Sequence, residues 1–178
     1  MIELEVASLG LDKASNTPVV ILKEVDGERL LPIWIGPGEA SAIAMELAGI
    51  RFSRPLTHDL LNTVVRSLGS ELLRVLITKV VDNTYYASLI FRRNGEVITI
   101  DSRPSDSVAL AVRASAPIFA DVDLLDRTSV EVQDGTLEPG FAGTGADFPA
   151  PAEQDDPPEK LRDYLKRLDP EDFGRFIP

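Results

Sequence analysis

The alternation of apolar and polar positions begins at the first residues. Residues 2–9 and 17–25 read as strands with a period of two, joined by the polar turn Asp12-Lys13-Ala14-Ser15-Asn16. Asp26-Gly27 marks a tight hairpin into a third strand, Arg29 to Ile35. Gly36-Pro37-Gly38 breaks that strand and hands it to a helix with Ala40, Ile43, Ala44 and Leu47 on one face and Gly49 at its end. A second helical period runs from about Pro55 to Leu68. Thr57 is its expected N-cap, and Leu60, Leu61, Val64, Val65 and Leu68 are its expected buried stripe. Strands return at 72–81, 84–92 and 96–101, with Asp82-Asn83 and Arg93-Asn94-Gly95 as the turns. A third helix runs through Val108, Ala111 and Val112 to about Ala114. A short strand at Pro117-Ile118-Phe119-Ala120 and a short turn or helix from Val122 to Asp126 follow. Strand groups separated by helices predict an α+β fold. The sheet is expected to be largely antiparallel or mixed, of about six to seven strands, with three main helices.

Beyond residue 130 the periodicity stops. Residues 131–158 are rich in Gly, Pro, Asp and Glu, the composition of a flexible acidic linker. In residues 159–178, Leu161, Tyr164, Leu165 and Leu168 fall on one helical face, started by Pro158-Glu159 and ended by Asp169-Pro170. A helix of about three turns is not stable alone, so it is expected to dock. The reading therefore divides the chain into a domain at 1–130, a linker at 131–158 and a terminal helix with its tail at 159–178.

Charge sharpens this division. The 178 residues carry 18 Lys and Arg against 29 Asp and Glu, a net charge of −11. Residues 1–130 hold 17 acids and 13 bases, a net of −4, and the remainder holds −7. The acidity argues against a broad basic face for nucleic acid, yet Arg51, Arg54 and Arg103 sit in loops of the near-neutral part, where a local basic groove is possible. With no cysteine, disulfide scaffolds, thiolate zinc sites and cysteine nucleophiles are excluded. With one histidine, His58, a metal site needing two imidazoles from one chain is excluded as well. No apolar run approaches the ~20 residues of a membrane span, and the N-terminus opens as a strand without a signal-peptide layout. The expectation is a cytoplasmic protein.

Two clusters can carry chemistry. In Ile100-Asp101-Ser102-Arg103-Pro104-Ser105-Asp106-Ser107 a strand ends where a helix begins. Free backbone N–H groups and the helix dipole favour an anion there, Arg103 can clamp a phosphate, and Asp101 and Asp106 are hard ligands for Mg²⁺ or Mn²⁺. The plainer alternative is capping by Ser102, with Pro104 as first helical residue. In Arg51-Phe52-Ser53-Arg54-Pro55-Leu56-Thr57-His58-Asp59, His58 beside Asp59 can act as general acid or base. Equally, it can be a first-turn polar residue. Glu39 and Glu46 share a helix face seven residues apart, as a metal shelf or as solvent-facing charges. In Tyr85-Tyr86 one ring must point in and the other out. The outer ring can stack on a base or pack on a neighbour.

Several segments agree with one family in order and spacing. They are Leu31-Pro32-Ile33-Trp34-Ile35-Gly36-Pro37-Gly38-Glu39-Ala40, Arg54-Pro55-Leu56-Thr57-His58-Asp59-Leu60, Tyr85-Tyr86-Ala87, Asp101-Ser102-Arg103-Pro104-Ser105-Asp106-Ser107-Val108-Ala109-Leu110 and Pro117-Ile118-Phe119-Ala120. Together, over roughly residues 1–130, they resemble the bifunctional nuclease family, the DNase/RNase domain of bacteria and plants. The resemblance implies an α+β domain in a homo-oligomer, most simply a dimer, that cleaves phosphodiester bonds in DNA and RNA. The expected catalytic residues are His58, Asp59, Asp101 and Asp106. Arg54, Arg103 and Ser105 are expected to bind phosphate, and Asp101, Asp106 and Glu39 to hold a divalent metal. The rival readings are a non-enzymatic regulator or scaffold whose acidic tail and terminal helix bind a partner protein, and a binder of a small phosphorylated ligand.

Overall fold

A computed structural model of the chain describes residues 1–12, 15–133 and 136–138. Strands β1 (Ile2–Asp12), β2 (Thr17–Glu24) and β3 (Arg29–Trp34) form an antiparallel meander. Helices α1 (Pro37–Leu47) and α2 (Thr57–Ser67) follow. A second meander comprises β4 (Ser70–Val81), β5 (Thr84–Arg93) and β6 (Glu96–Ser102). Then come α3 (Pro104–Ala114), β7 (Ile118–Ala120), α4 (Val122–Thr128), β8 (Val130–Gln133) and β9 (Thr136–Glu138). All strands join one sheet in the order β6-β5-β4-β7-β1-β2-β3-β8-β9. The short β7 knits the two meanders together, antiparallel to β1 and parallel to β4. This is the mixed-sheet α+β fold that the hydrophobic pattern predicts, with α4 taking up the short helix expected after Val122.

The core lies where α1, α3 and α4 cover the sheet. Ile43 of α1, Val108 and Leu110 of α3 and Leu125 of α4 are buried against Leu22, Leu31, Val75 and Ile77. Burying such side chains stabilises the fold by roughly 1.5–3 kcal/mol each. Tyr85 points inward and packs on this core, whereas Tyr86 faces out beneath the Lys79 ammonium, 4.8 Å from its ring centre. Among the described residues no helix is long and apolar enough to cross a membrane.

The structure departs from the expectations at four places. Thr57 is the first residue of α2 and not its cap; Leu56 occupies the cap position and its N–H is satisfied by the Asp59 carboxylate at 2.9 Å. Ser102 does not cap α3, because Arg103 holds that position and the Ser102 hydroxyl pairs with Ser107. Ordered strand extends past residue 130 through β8 and β9; the rest of the expected linker and the terminal helix lie outside the described residues. The fourth difference is the largest. Leu60, Leu61 and Val64 of α2 and Leu68 at its C-cap are 40 to 58% exposed, and of the expected stripe only Val65 packs on the core. The helix docks on α3 by its other side, through His58, Asp59 and Asn62, which bond to Asp106 and to Arg113. Polar contacts with α3 thus outcompete the apolar stripe for the interior, and the stripe is left on the surface.

Candidate active site

The site grows out of two strand-to-helix junctions. β3 ends at Trp34, and Ile35-Gly36 leads into Pro37 at the start of α1. β6 ends at Ser102, and Arg103 leads into Pro104 at the start of α3. Proline suits both first turns, where its missing N–H has no partner to lose. A cleft of about 340 Å³ opens between the junctions, lined by Trp34, Gly36, Glu39, Asn83, Arg103 and Ser105 among others. First-turn residues of both helices border it, and such ends favour negative charge.

Arg103 organises the charges. Its Nε donates to Asp106 Oδ2 at 2.7 Å, and Nη2 donates to Asp106 Oδ1 at 3.2 Å and faces Glu39 Oε1 at 3.0 Å. Asp106 Oδ1 also meets His58 Nε2 at 3.2 Å. The resulting chain, His58–Asp106–Arg103–Glu39, ties α2, α3 and α1 together. Within it Arg103 is 67% exposed, whereas His58 is 13% and Glu39 22% exposed. Nothing occupies the remaining Nη1 by a hydrogen bond among the described residues, so the guanidinium has a donor edge left for an incoming anion. Gly36 is part of this arrangement. A Cβ there would collide with Glu39 Oε2, so the absence of a side chain lets the carboxylate fold back over the cap.

The remaining predicted residues do not all gather here. Ser105 lines the cleft. Arg54 is exposed in the loop before α2. Ser102 faces α3, so strand alternation turns Asp101 to the opposite face of the sheet. Asp59 is committed elsewhere: it accepts from Arg113 Nε at 2.6 Å and from the Leu56 N–H. Glu46 pairs with Arg51 at 2.9 Å and lies 3.9 Å from Arg113. The expected metal set therefore does not fit. Asp101 is on the wrong face, Arg103 already fills the space between Glu39 and Asp106, and no group of three potential ligands occurs among the described residues.

Two carboxylates are tuned by these contacts. Burial pushes the Asp106 carboxyl upward, but hydrogen bonds from Arg103 and His58 and their charges outweigh it and hold Asp106 below its ordinary value of 3.8. Burial likewise opposes ionisation of Asp59, and Arg113, the Leu56 N–H and Arg51 bring it below the same value. A depressed carboxylate contributes stability that is complete above its unfolded pKa and is lost as pH falls through its folded one. Asp59→Asn should therefore cost stability at neutral pH, and the gap from wild type should close as pH drops below 3.8, measured by urea unfolding at a series of pH values.

Sequence reasoning passed over Arg113 and treated Trp34 only as part of a motif. The signal for Arg113 was a single cation at the end of the apolar run Val108 to Val112. Its side chain is 4% exposed. It reaches Asp59 of α2, the Ala42 carbonyl of α1 at 3.0 Å and the Ala109 carbonyl of its own helix at 2.9 Å.

Comparison with known proteins places the chain in a family. The model of the bifunctional nuclease domain matches residues 20–133, which contain both junctions and the whole charge chain. An uncharacterised protein of Mycobacterium tuberculosis is 38% identical over 171 residues, covering 96% of this chain and 97% of that protein. Bifunctional nuclease 1 of Arabidopsis thaliana is 31% identical over 105 residues, 57% of this chain and 32% of the plant protein. Bifunctional nuclease 2 of rice, Oryza sativa subsp. japonica, is 30% identical over 112 residues, 61% of this chain and 34% of its own. With the domain model matched over more than half its length, the chain belongs to the bifunctional nuclease domain family.

Proposed function

We propose that the cleft hydrolyses phosphodiester bonds in DNA and RNA, with Arg103 as the phosphate anchor and Glu39 as the base. The observation that carries this reading is the guanidinium held between Glu39 and Asp106 at the mouth of a cleft bordered by two helix starts. Arg103 is a fixed positive charge, already oriented, so it can meet the charge that develops on phosphorus-bound oxygens without reorganising. Glu39, beside it, accepts the proton of the attacking water as its oxygen bonds to phosphorus; the bond from phosphorus to the leaving oxygen breaks, and that oxygen takes a proton from solvent. Asp106 holds Arg103, and His58 holds Asp106; in this reading His58 is a positioning residue in place of the general acid or base expected of it. No step is routed through a metal, because Asp101 lies on the opposite face of the sheet and Arg103 sits between Glu39 and Asp106. Gly36→Ala tests the arrangement. The new methyl meets only the flexible end of Glu39, so the melting temperature should stay within a degree or two, while oligonucleotide cleavage should fall about 10²-fold as the carboxylate is displaced. Unchanged cleavage would remove Glu39 from the mechanism.

The same domain is proposed to work as a homodimer joined through α2. The support is its apolar stripe, which is exposed although it has the spacing of a buried face. Changing Leu61 and Val64 together to Asp should convert the protein to a monomer by light scattering without lowering its helix content. A wild-type monomer at micromolar concentration would contradict the interface.

A further inference from the structure

We infer that the cleft takes an unpaired nucleotide, with Trp34 as the platform for its base, so that the substrate class is single-stranded nucleic acid. This rests on the phosphodiester reading of the Arg103 site and adds what lies next to it. Trp34 is the last residue of β3 and keeps 42% of its surface exposed, although Ile33 and Ile35 on either side are buried. The ring is not a loose surface aromatic. Its Nε1–H donates to Asp12 Oδ2 at 3.2 Å, Asp12 is itself buried, and the Ser15 hydroxyl donates to the same oxygen at 2.7 Å. One edge is thereby fixed, and the ring stands as a wall of the same cleft as Arg103.

The β4–β5 hairpin supplies polar atoms to the same cleft. Asn83, with φ of 58°, sits at the tip of the β4–β5 hairpin, where the left-handed conformation of Asp82 and Asn83 makes a tight turn. Asn83 lines the cleft, and its amide offers one donor and one acceptor group, the pattern of a base edge. A nucleotide whose phosphate meets Arg103 can therefore place its base against Trp34 within a volume of about 340 Å³. Stacking on an aromatic side chain needs a free base face, which a base inside a duplex does not have. A duplex would first have to extrude the nucleotide.

Trp34 is the single tryptophan of the chain, so the native protein reports on its own site. Adenosine 5′-monophosphate should quench its fluorescence, while ribose 5-phosphate, with the same phosphate and no base, should not. By calorimetry, Trp34→Leu should weaken the nucleotide about 10-fold or more and leave ribose 5-phosphate unchanged; Trp34→Phe should retain most of the affinity. In cleavage assays Trp34→Leu should slow a single-stranded oligonucleotide far more than its duplex. Equal affinities of the two phosphates for the wild type, or equal nucleotide binding by wild type and Trp34→Leu, would overturn the inference. So would faster cutting of duplex than of single strand. Base-dependent binding without any cleavage would leave the nucleotide subsite standing and remove the nuclease reading. Cleavage that needs Arg103 but ignores Trp34 would do the reverse.

Discussion

Replacing Arg113 by Met should lower the unfolding free energy by about 3 kcal/mol, the largest stability effect expected of any single exposed-or-polar site in the domain. Methionine is unbranched and uncharged, so it keeps the aliphatic packing of the arginine stem and removes the guanidinium. The Arg113 side chain is 4% exposed, and removing its guanidinium leaves three acceptors behind: Asp59 Oδ1, the Ala42 carbonyl and the Ala109 carbonyl. Breaking a buried pair from one side typically costs about 3–5 kcal/mol. The lower figure applies because the Asp59 side chain is about one-third exposed and regains some hydration. In a domain of this size that is a drop in melting temperature of about 10 °C. Calorimetry on the two proteins at neutral pH measures it. A second substitution, Asp59→Asn, made in the Arg113→Met background, should then cost little, because the pair no longer exists to be broken. Equal losses from Asp59→Asn in both backgrounds would mean that the two residues act independently.

The same clamp explains why α2 is turned as it is. Asp59 and Asn62 lie on the polar side of the helix, and their partners on α3 are buried, so undocking them would strand a desolvated cation. The apolar stripe of α2 was legible in the sequence, but its direction was not. Periodicity says that Leu60, Leu61, Val64 and Leu68 share a face; it does not say whether the face meets this domain or another surface. The deciding information is Arg113, which is distant in sequence and becomes a partner only when α3 packs between α1 and α2.

The candidate site was legible in a comparable way. Arg103, Asp106, His58 and Glu39 could be singled out because charged and hydroxyl residues cluster at helix starts, a local feature that sequence displays. Their connection into one chain is a tertiary fact. Asp101 shows the limit most clearly. It is two residues from Arg103 in sequence, yet strand alternation carries it to the opposite face, away from Asp106 and Glu39. Asp59 shows the converse: adjacent to His58, it serves the α2 cap and the Arg113 clamp instead of the cleft. The sheet itself was readable because both meanders have clear alternation and turn chemistry. The exception is β8 and β9, which lie where Gly, Pro and acidic residues mask a short strand pair behind the composition of a linker.

The second large effect is catalytic, and it falls on Arg103. The residue is two-thirds exposed, so Arg103→Ala should still fold, and the loss of its screened ion pairs should lower the melting temperature by only a few degrees. It should nevertheless lose about 10³-fold in turnover, the scale of removing a preorganised positive group from a site of developing phosphate charge. Arg103→Lys should recover only part of the rate. An ammonium retains the charge but cannot make the paired contact to Asp106 while reaching Glu39 and a phosphate. The variant also separates this protein from a co-purifying nuclease, since a contaminant is indifferent to Arg103. The decisive measurement is therefore the initial rate of cleavage of one labelled single-stranded oligonucleotide by wild type and Arg103→Ala, purified in parallel and matched in concentration and folded fraction. The account predicts cutting by the wild type and a rate about a thousand-fold lower in the variant; equal rates from the two proteins would contradict it.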